Sequence, residues 1–419
     1  MNTTATLPNG AKSKRDGQTT DPSCGAIQAM TELQADVLIV GGGPAGLSVA
    51  ARLPDGVSSI LVHQDAEIGR PVRTSGGTWV SDMRALGVPD DLYVTMNTLE
   101  FRSDNVVATH AMKSQTLAVL DITGLYQWLG RAAVANGCDV HVGTKMLACV
   151  RDGAGYLATI RFADRSEGRV RARYVVDASG NANAVVAALG LADAPQRTGV
   201  GIEYEYEMLD GDRDKAVLFV GTAALVGYGW IFPAPHNRVR IGVGVISPDT
   251  DVSPRTLMDQ LHASGFLNDQ GLRLGTRVHA NAGVIPSEPY DRKLVFDRVI
   301  RVGDTANFAT PTVGEGIRMA IEFGRILGDE LGKAVQTGRA APLKRYERKC
   351  AKRFKRNYRL GYAANQRIAK YDAAQWDRSV RRLSRLSERE VIALIRSEYS
   401  FGLIAGGVVK YLKVKIFSR

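Results

Sequence analysis

Ala35-Asp36-Val37-Leu38-Ile39-Val40-Gly41-Gly42-Gly43-Pro44-Ala45-Gly46, continuing into Leu47-Ser48-Val49-Ala50-Ala51-Arg52-Leu53, is the stretch that decides the fold. Its first six residues form a compact apolar run, the pattern of a parallel strand buried on both faces. Gly41, Gly43 and Gly46 then satisfy GxGxxG, and a helical-looking segment follows. In such a strand–turn–helix, Gly41 permits the tight turn and Gly43 lets a pyrophosphate approach the backbone. Gly46 lets helix and strand pack closely. Pro44 and Ala45 open the helix, whose N-terminal amides and partial positive charge favour a phosphate. Ser59-Ile60-Leu61-Val62 supplies the second strand of the βαβ unit. An Asp or Glu commonly ends that strand and binds a ribose. Here the strand runs into His63-Gln64-Asp65, so His63 or Gln64 occupies the ribose position, with Asp65 near it. The whole stretch predicts dinucleotide binding by an α/β domain.

Around this unit the chain extends to 419 residues, enough for two or three domains. With 45% hydrophobic and 23% charged residues, it falls outside the disordered and collagen-like classes. The late apolar run Phe401 to Val409 is far shorter than a membrane span needs. Residues 1–34 are polar, without the apolar core of a signal peptide, and read as a flexible tail. Cys24, Cys138, Cys149 and Cys350 form no CxxC pair, which suits a reducing cytoplasm. The histidines are dispersed, with no HExxH, so no metal is expected, and no GxSxG elbow marks a serine hydrolase. The formal charge of +11 is unevenly placed: residues 341–419 carry 21 Lys and Arg against 6 Asp and Glu, and the remainder is mildly acidic. Such a basic end suits either a solvated helical surface or an anionic partner, of which a membrane surface fits better than nucleic acid.

Four further landmarks follow in order. Gly69-Arg70-Pro71-Val72-Arg73-Thr74-Ser75-Gly76-Gly77 comes after the βαβ unit, and Tyr174-Val175-Val176-Asp177-Ala178-Ser179-Gly180 reads as a buried strand ending in a glycine turn. Gly303-Asp304-Thr305-Ala306 precedes Thr312-Val313-Gly314-Glu315-Gly316-Ile317, which opens a helix. Between the second and third stands Tyr228-Gly229-Trp230-Ile231-Phe232-Pro233, followed after eight residues by Gly242-Val243-Gly244. Alternation places Tyr228, Trp230 and Phe232 on one strand face as an apolar wall with polar tips. An aromatic stripe of this kind also packs sheet cores.

With these landmarks in place, the chain resembles the geranylgeranyl reductase family, within the flavoprotein superfamily that includes aromatic hydroxylases and lycopene cyclases. The resemblance spans about residues 35–335. It implies an FAD site built from Gly41, Gly43, Pro44, Ala45, Gly46, Gln64, Arg70, Gly303, Asp304, Gly314, Gly316 and Ile317. It also implies an isoprenoid pocket lined by Tyr228, Trp230 and Phe232. The chain departs from the family in two places: Ser75 stands where a Cys is frequent, and Asp121-Ile122 stands where an Arg commonly precedes the next helix.

The expected architecture is α/β: a Rossmann-like FAD-binding domain (35–95, 115–187, 290–335) with an inserted antiparallel-sheet substrate domain (96–114, 188–289). A helical basic C-terminal region, 336–419, completes it. Ile202 to Met208 alternates strictly and reads as a strand with one wet face, which makes Glu203 and Glu205 solvated residues before they are proton donors. Tyr399–Ile404 and Val408–Lys413 mix apolar and cationic residues as an interfacial helix does. The implied activity is FAD-dependent reduction of isoprenoid carbon–carbon double bonds. With no second GxGxxG, NAD(P)H would bind transiently or another carrier would donate electrons. Alternatives are a flavin monooxygenase or halogenase, a redox-neutral lycopene-cyclase-like enzyme, and a flavin-binding membrane adaptor. The expected location is cytoplasmic, with peripheral attachment to the inner face of a membrane.

Overall fold

The computed structural model describes residues 31–224 and 227–399. The apolar run at the start of the motif lies at the centre of an 8-stranded sheet. Its parallel part runs Val299–Arg301, Glu167–Asp177, Thr31–Val40, Ser59–Val62, Asp139–His141. Val37, Leu38 and Ile39 are fully buried, as a strand covered on both faces requires. The strand begins at Thr31, inside the stretch expected as a tail, because Thr31–Gln34 continue the ladder against Gly168–Arg171 after the apolar run has ended. One face is covered by the helices Pro44–Ala50, Ile122–Ala135 and Ile317–Thr337. On the other lie the Lys145–Asp152 and Gly155–Arg161 strands and the short helix Ala184–Ala188.

A second, 7-stranded sheet has the order Arg273–Pro286, Thr198–Asp210, Arg238–Ser247, Gly227–Ala234, Lys215–Phe219, Thr98–Arg102, Val107–Ala111. All its pairings are antiparallel except Lys215–Phe219 with Thr98–Arg102. Thr198–Asp210 is therefore an interior strand, hydrogen-bonded on both edges. Its polar face is not wet: Glu203 and Glu205 are 3% and 5% exposed, because the Arg73–Ser75 segment lies across them and neighbouring strands bring donors to them.

The basic C-terminal region folds into this body. Helix Ala341–Ile368 buries Leu343, Tyr346, Cys350, Phe354 and Tyr358 at helical spacing. Phe354 stacks on Phe308 with centroids 4.6 Å apart. Arg345 and Lys349 pair with the buried carboxylate of Glu330 at 3.0 Å each. Helices Ala373–Leu383 and Glu388–Ile395 follow. The expected interfacial segment, from Ser400 through Lys413, lies outside the described residues.

One packing feature fixes the last helix of the FAD-type core against the first. Gly324, Gly328 and Gly332 form a bare seam on Ile317–Thr337. A Cβ on Gly324 would stand 2.6 Å from the Ala45 carbonyl oxygen, and one on Gly328 would stand 2.6 Å from that of Val49. The absence of side chains lets the two helices touch backbone to backbone. In contrast, a Cβ on Gly130 in Ile122–Ala135 would meet nothing nearer than 3.7 Å. The two sites should respond oppositely. Gly328→Ala should lower stability by about 1–3 kcal/mol through overpacking, whereas Gly130→Ala should raise it by about 0.5–1 kcal/mol through helix propensity. Urea denaturation midpoints check both.

Candidate functional site

The glycine motif adopts the conformation its sequence demands. Gly41 has φ +117°, and an added Cβ would lie 2.2 Å from the Ala178 carbonyl oxygen. A Cβ on Gly46 would lie 2.1 Å from the oxygen of Gly41, which closes the strand–helix turn. Gly43 faces open space instead, with no atom within 4 Å of an added Cβ. Gly303, at φ +73°, rests against Ala45, and Gly316 lies 3.4 Å from Asp304 Oδ1 on the same measure. Thus the fold gathers Gly41–Gly46 with the distant, closely spaced Gly303-Asp304 and Gly314–Ile317. The Asp304 carboxyl is desolvated, which raises its pKa to about 6.

The end of the second strand is organised differently from the acidic pattern. Gly42 N donates to His63 Nδ1 at 3.2 Å, and burial lowers the pKa of that imidazole, favouring the neutral acceptor. Asp65 accepts two hydrogen bonds from Arg73, at 2.7 and 3.0 Å. Gln64 is exposed, and Arg70 forms a surface pair with Glu67 at 3.5 Å. Asp121 caps helix Ile122–Ala135 by accepting from Gly124 N.

A cavity of about 370 Å³ opens beside this cradle. Its floor is a face of the second sheet, and register explains its shape. Phe101, Leu218, Trp230, Gly242, Glu203 and Asn281 are successive partners across six strands. At about 4.8 Å per strand this row is on the order of 24 Å long. Trp230 lies over Gly242, where a Cβ would come within 2.2 Å of its ring. The neighbouring row of Tyr228, Gly244, Gly201 and Gly283 is almost bare. Tyr228 donates its hydroxyl to the Val313 carbonyl at 2.6 Å, which ties the aromatic strand to the glycine turn at Gly314. A Cβ on Gly283 would come within 2.1 Å of the Arg73 carbonyl oxygen.

The Asn281 end of the row therefore meets the cofactor-type loops. The Phe101 end passes beneath Trp376, Val380 and Leu383 of the C-terminal helices, which complete the apolar lining. Phe232 shares the strand face but lies outside the lining. It packs below Gly77, with the Trp79 cluster, because the 73–79 loop covers that end of the strand. Sequence reasoning missed Arg73 and Arg240. Arg240 donates to Glu205 at 2.8 Å and to the carbonyls of Ser75 and Leu120 at 2.7 and 2.9 Å, so it clamps the 73–79 loop to the sheet. Only the Arg-Val-Arg alternation at 238–240, opposite Glu205, signalled it.

This architecture is that of an FAD-binding protein. Residues 34–360 match the model of the FAD binding domain family, and the chain belongs to that family. Its resemblance to geranylgeranyl reductases is borne out by its relatives. Digeranylgeranylglycerophospholipid reductase 3 of Methanosphaera stadtmanae is 27% identical over 72% of this chain and 78% of that protein. Digeranylgeranylglycerophospholipid reductase 2 of Methanopyrus kandleri is 24% identical over 92% and 97%. Among solved structures, a geranylgeranyl bacteriochlorophyll reductase-like protein from Thermoplasma acidophilum shares the fold with a TM-score of 0.78 at 21% identity, covering 92% of this chain and 99% of that one. A p-nitrophenol 4-monooxygenase from Pseudomonas putida also shares it, with a TM-score of 0.65 at 16% identity over 88% and 99%.

The residues present fit FAD. Gly43 leaves room at a helix start, the Gly41 turn exposes backbone, and the desolvated Asp304 carboxyl has no hydrogen-bond partner among the described residues, an acceptor suited to the cofactor's hydroxyls. When bound, FAD supplies two-electron redox chemistry. Asp304 also predicts a pH effect in FAD-free protein. Its folded pKa of about 6 exceeds the unfolded value of ~3.9. The folded state therefore holds the proton more tightly, and the associated stability, complete below about pH 4, is lost as pH rises through about 6. Asp304→Asn should remove that slope, as measured by denaturation midpoints across the window.

Proposed function

We propose that this protein is an FAD-dependent reductase of carbon–carbon double bonds in an isoprenoid lipid, which lies along the six-strand row in the apolar cavity. The observation that carries this reading is the cavity itself: long, apolar at its Phe101 end, and open at its Asn281 end to the cofactor-type loops. The relatives named as digeranylgeranylglycerophospholipid reductases support the substrate class. Tyr228 and Trp230 wall the chain of the substrate, the Gly201 and Gly244 floor lets it lie close to the sheet, and the C-terminal helices exclude water. Electrons reach the flavin from NAD(P)H or another external carrier. Anaerobic protein with reduced FAD should convert a geranylgeranyl lipid to a product heavier by two hydrogens per turnover while oxidised-flavin absorbance returns. Reoxidation only on admitting air, with oxygenated product, would contradict the reading.

The lipid is delivered, in this reading, from an anionic membrane surface. No helix among the described residues is long and apolar enough to cross a membrane. Arg367, Lys370, Arg378 and Arg382 surround a groove at the junction of the two helices whose other faces line the cavity, and none of the four has a salt-bridge partner among the described residues. Cosedimentation with phosphatidylglycerol vesicles should be salt-sensitive. It should drop roughly tenfold when Arg367, Arg378 and Arg382 are changed together to Glu. Equal binding by both proteins would remove these residues from the surface.

A further inference from the structure

The two buried glutamates of the Thr198–Asp210 strand, two residues apart on one face, have opposite environments. Glu205 is an ion-paired anion: it accepts from Arg238 Nη1 and Arg240 Nε, each at 2.8 Å, and its carboxyl is held below the usual range despite burial. Glu203 lines the cavity and has no cation within salt-bridge distance other than Arg240, at 3.9 Å. That guanidinium is already engaged by Glu205, Ser75 and Leu120. Neutral donors hold Glu203 instead: Trp230 Nε1 to Oε2 at 2.7 Å and Asn281 Nδ2 to Oε1 at 3.2 Å. Desolvation pushes its carboxyl upward, partly opposed by Arg240 and these two donors, while the Glu205 charge adds to the rise. Paired carboxylates with separated environments are a means of keeping one acid protonated and the other charged.

The position of Glu203 along the cavity gives this difference a use. Its row lies between two others that touch the cofactor-type loop: the Gly283 row meets the Arg73 carbonyl, and the Arg240 row binds that of Ser75. Glu203 therefore stands beneath the intervening Thr74, at the end of the row where the apolar channel meets the cradle. Across the lining, the other charged groups are Arg73, held by Asp65, and Glu288, which accepts from the Gln196 and Arg197 backbone. The C-terminal helices face the cavity with Asn365, Trp376 and Ser379 as their polar groups.

We infer that Glu203 is the proton donor of the reduction, a catalytic acid positioned by Trp230 and Asn281, with Glu205 as its ion-paired structural neighbour. This rests on the reductase reading. As the alkene π bond breaks, its electron pair takes the Glu203 carboxyl proton at one carbon, and reduced FAD, held by the glycine cradle, would supply the hydride taken by the other. Two C–H bonds form, one from the π pair and the Glu203 proton and one from the hydride, whose pair would be the two reducing electrons of the flavin. Glu203 is left as a carboxylate that keeps the Trp230 and Asn281 hydrogen bonds, and water returns its proton once product leaves.

Two readouts test the inference. In FAD-free protein, the infrared difference spectrum between wild type and Glu203→Gln should show a protonated-carboxyl band belonging to the wild type; identical carboxyl bands in both proteins would overturn the assignment without reference to turnover. In anaerobic single turnover, the wild-type rate should fall as pH rises through the Glu203 pKa. Glu203→Gln should slow the reaction by about 10²–10⁴-fold, keep its FAD content and lose that pH dependence; a variant within a few-fold of wild type on the same profile would overturn it. Trp230→Phe removes one donor to the carboxylate while leaving Glu203 in place, so its profile should move to higher pH, and an unmoved profile would count against the acid role even if the glutamine variant did not fold. Absence of any lipid reduction by the wild type would instead defeat the reductase reading, with the infrared result still deciding the protonation of Glu203.

Discussion

An indole ring laid flat on a β-sheet requires that the strand beneath it carry no side chain. Trp230 imposes that requirement at Gly242, where any Cβ would occupy the volume of the ring. Much of the site depends on this contact. It fixes the indole N–H towards Glu203, and it leaves Gly201 and Gly244 as bare floor beside it. Next to Trp230, Tyr228 reaches the glycine turn before Ile317–Thr337, so the cavity wall and the glycine cradle are held by one strand. Burying a Trp contributes a large apolar area, and its polar edge requires a partner. The buried Glu203 carboxyl satisfies that edge, while the edge in turn gives the carboxyl a hydrogen-bond partner in an apolar setting.

The same sheet separates two electrostatic tasks. Arg240 gathers Glu205 and two backbone carbonyls of the covering segments, which closes the sheet face from water. Replacing either member of such a buried pair alone would strand the other charge. Glu203, one row away, is left with neutral donors and an apolar channel. The loop that covers both carboxylates also carries Arg73, whose pairing with Asp65 ties it to the end of the second strand of the cradle. The glycine cradle and the apolar cavity are consequently one mechanical unit.

The cradle was legible in the sequence because its determinants are local. The glycines of Gly41–Gly46 answer to the backbone of their own turn, and a six-residue apolar run identifies a doubly covered strand. The Gly303-Asp304 and Gly314–Ile317 landmarks were legible through family resemblance, since nothing near them in sequence states what they face. What alternation could not give was the environment of each face. Ile202–Met208 has the pattern of a half-wet strand, yet the loop at 73–79, distant in sequence, covers its polar side. Phe232 likewise obeys the alternation of Tyr228 and Trp230 but falls under that loop. The basic charge of 344–356 concealed a buried aromatic stripe at Tyr346, Phe354 and Tyr358, which only packing against Phe308 reveals.

The central claim is that a prenyl chain lies across the sheet with its reacting bond at the Glu203 end. A crystal structure of the FAD-bound protein with a saturated-chain lipid would test it most directly. The account predicts an extended chain over Gly201 and Gly244, its tail between Phe101 and Trp376, and its flavin-proximal carbons in contact with Trp230 and Glu203. A chain bound elsewhere, or one entering with its tail at the Asn281 end and its headgroup at Phe101, would contradict it.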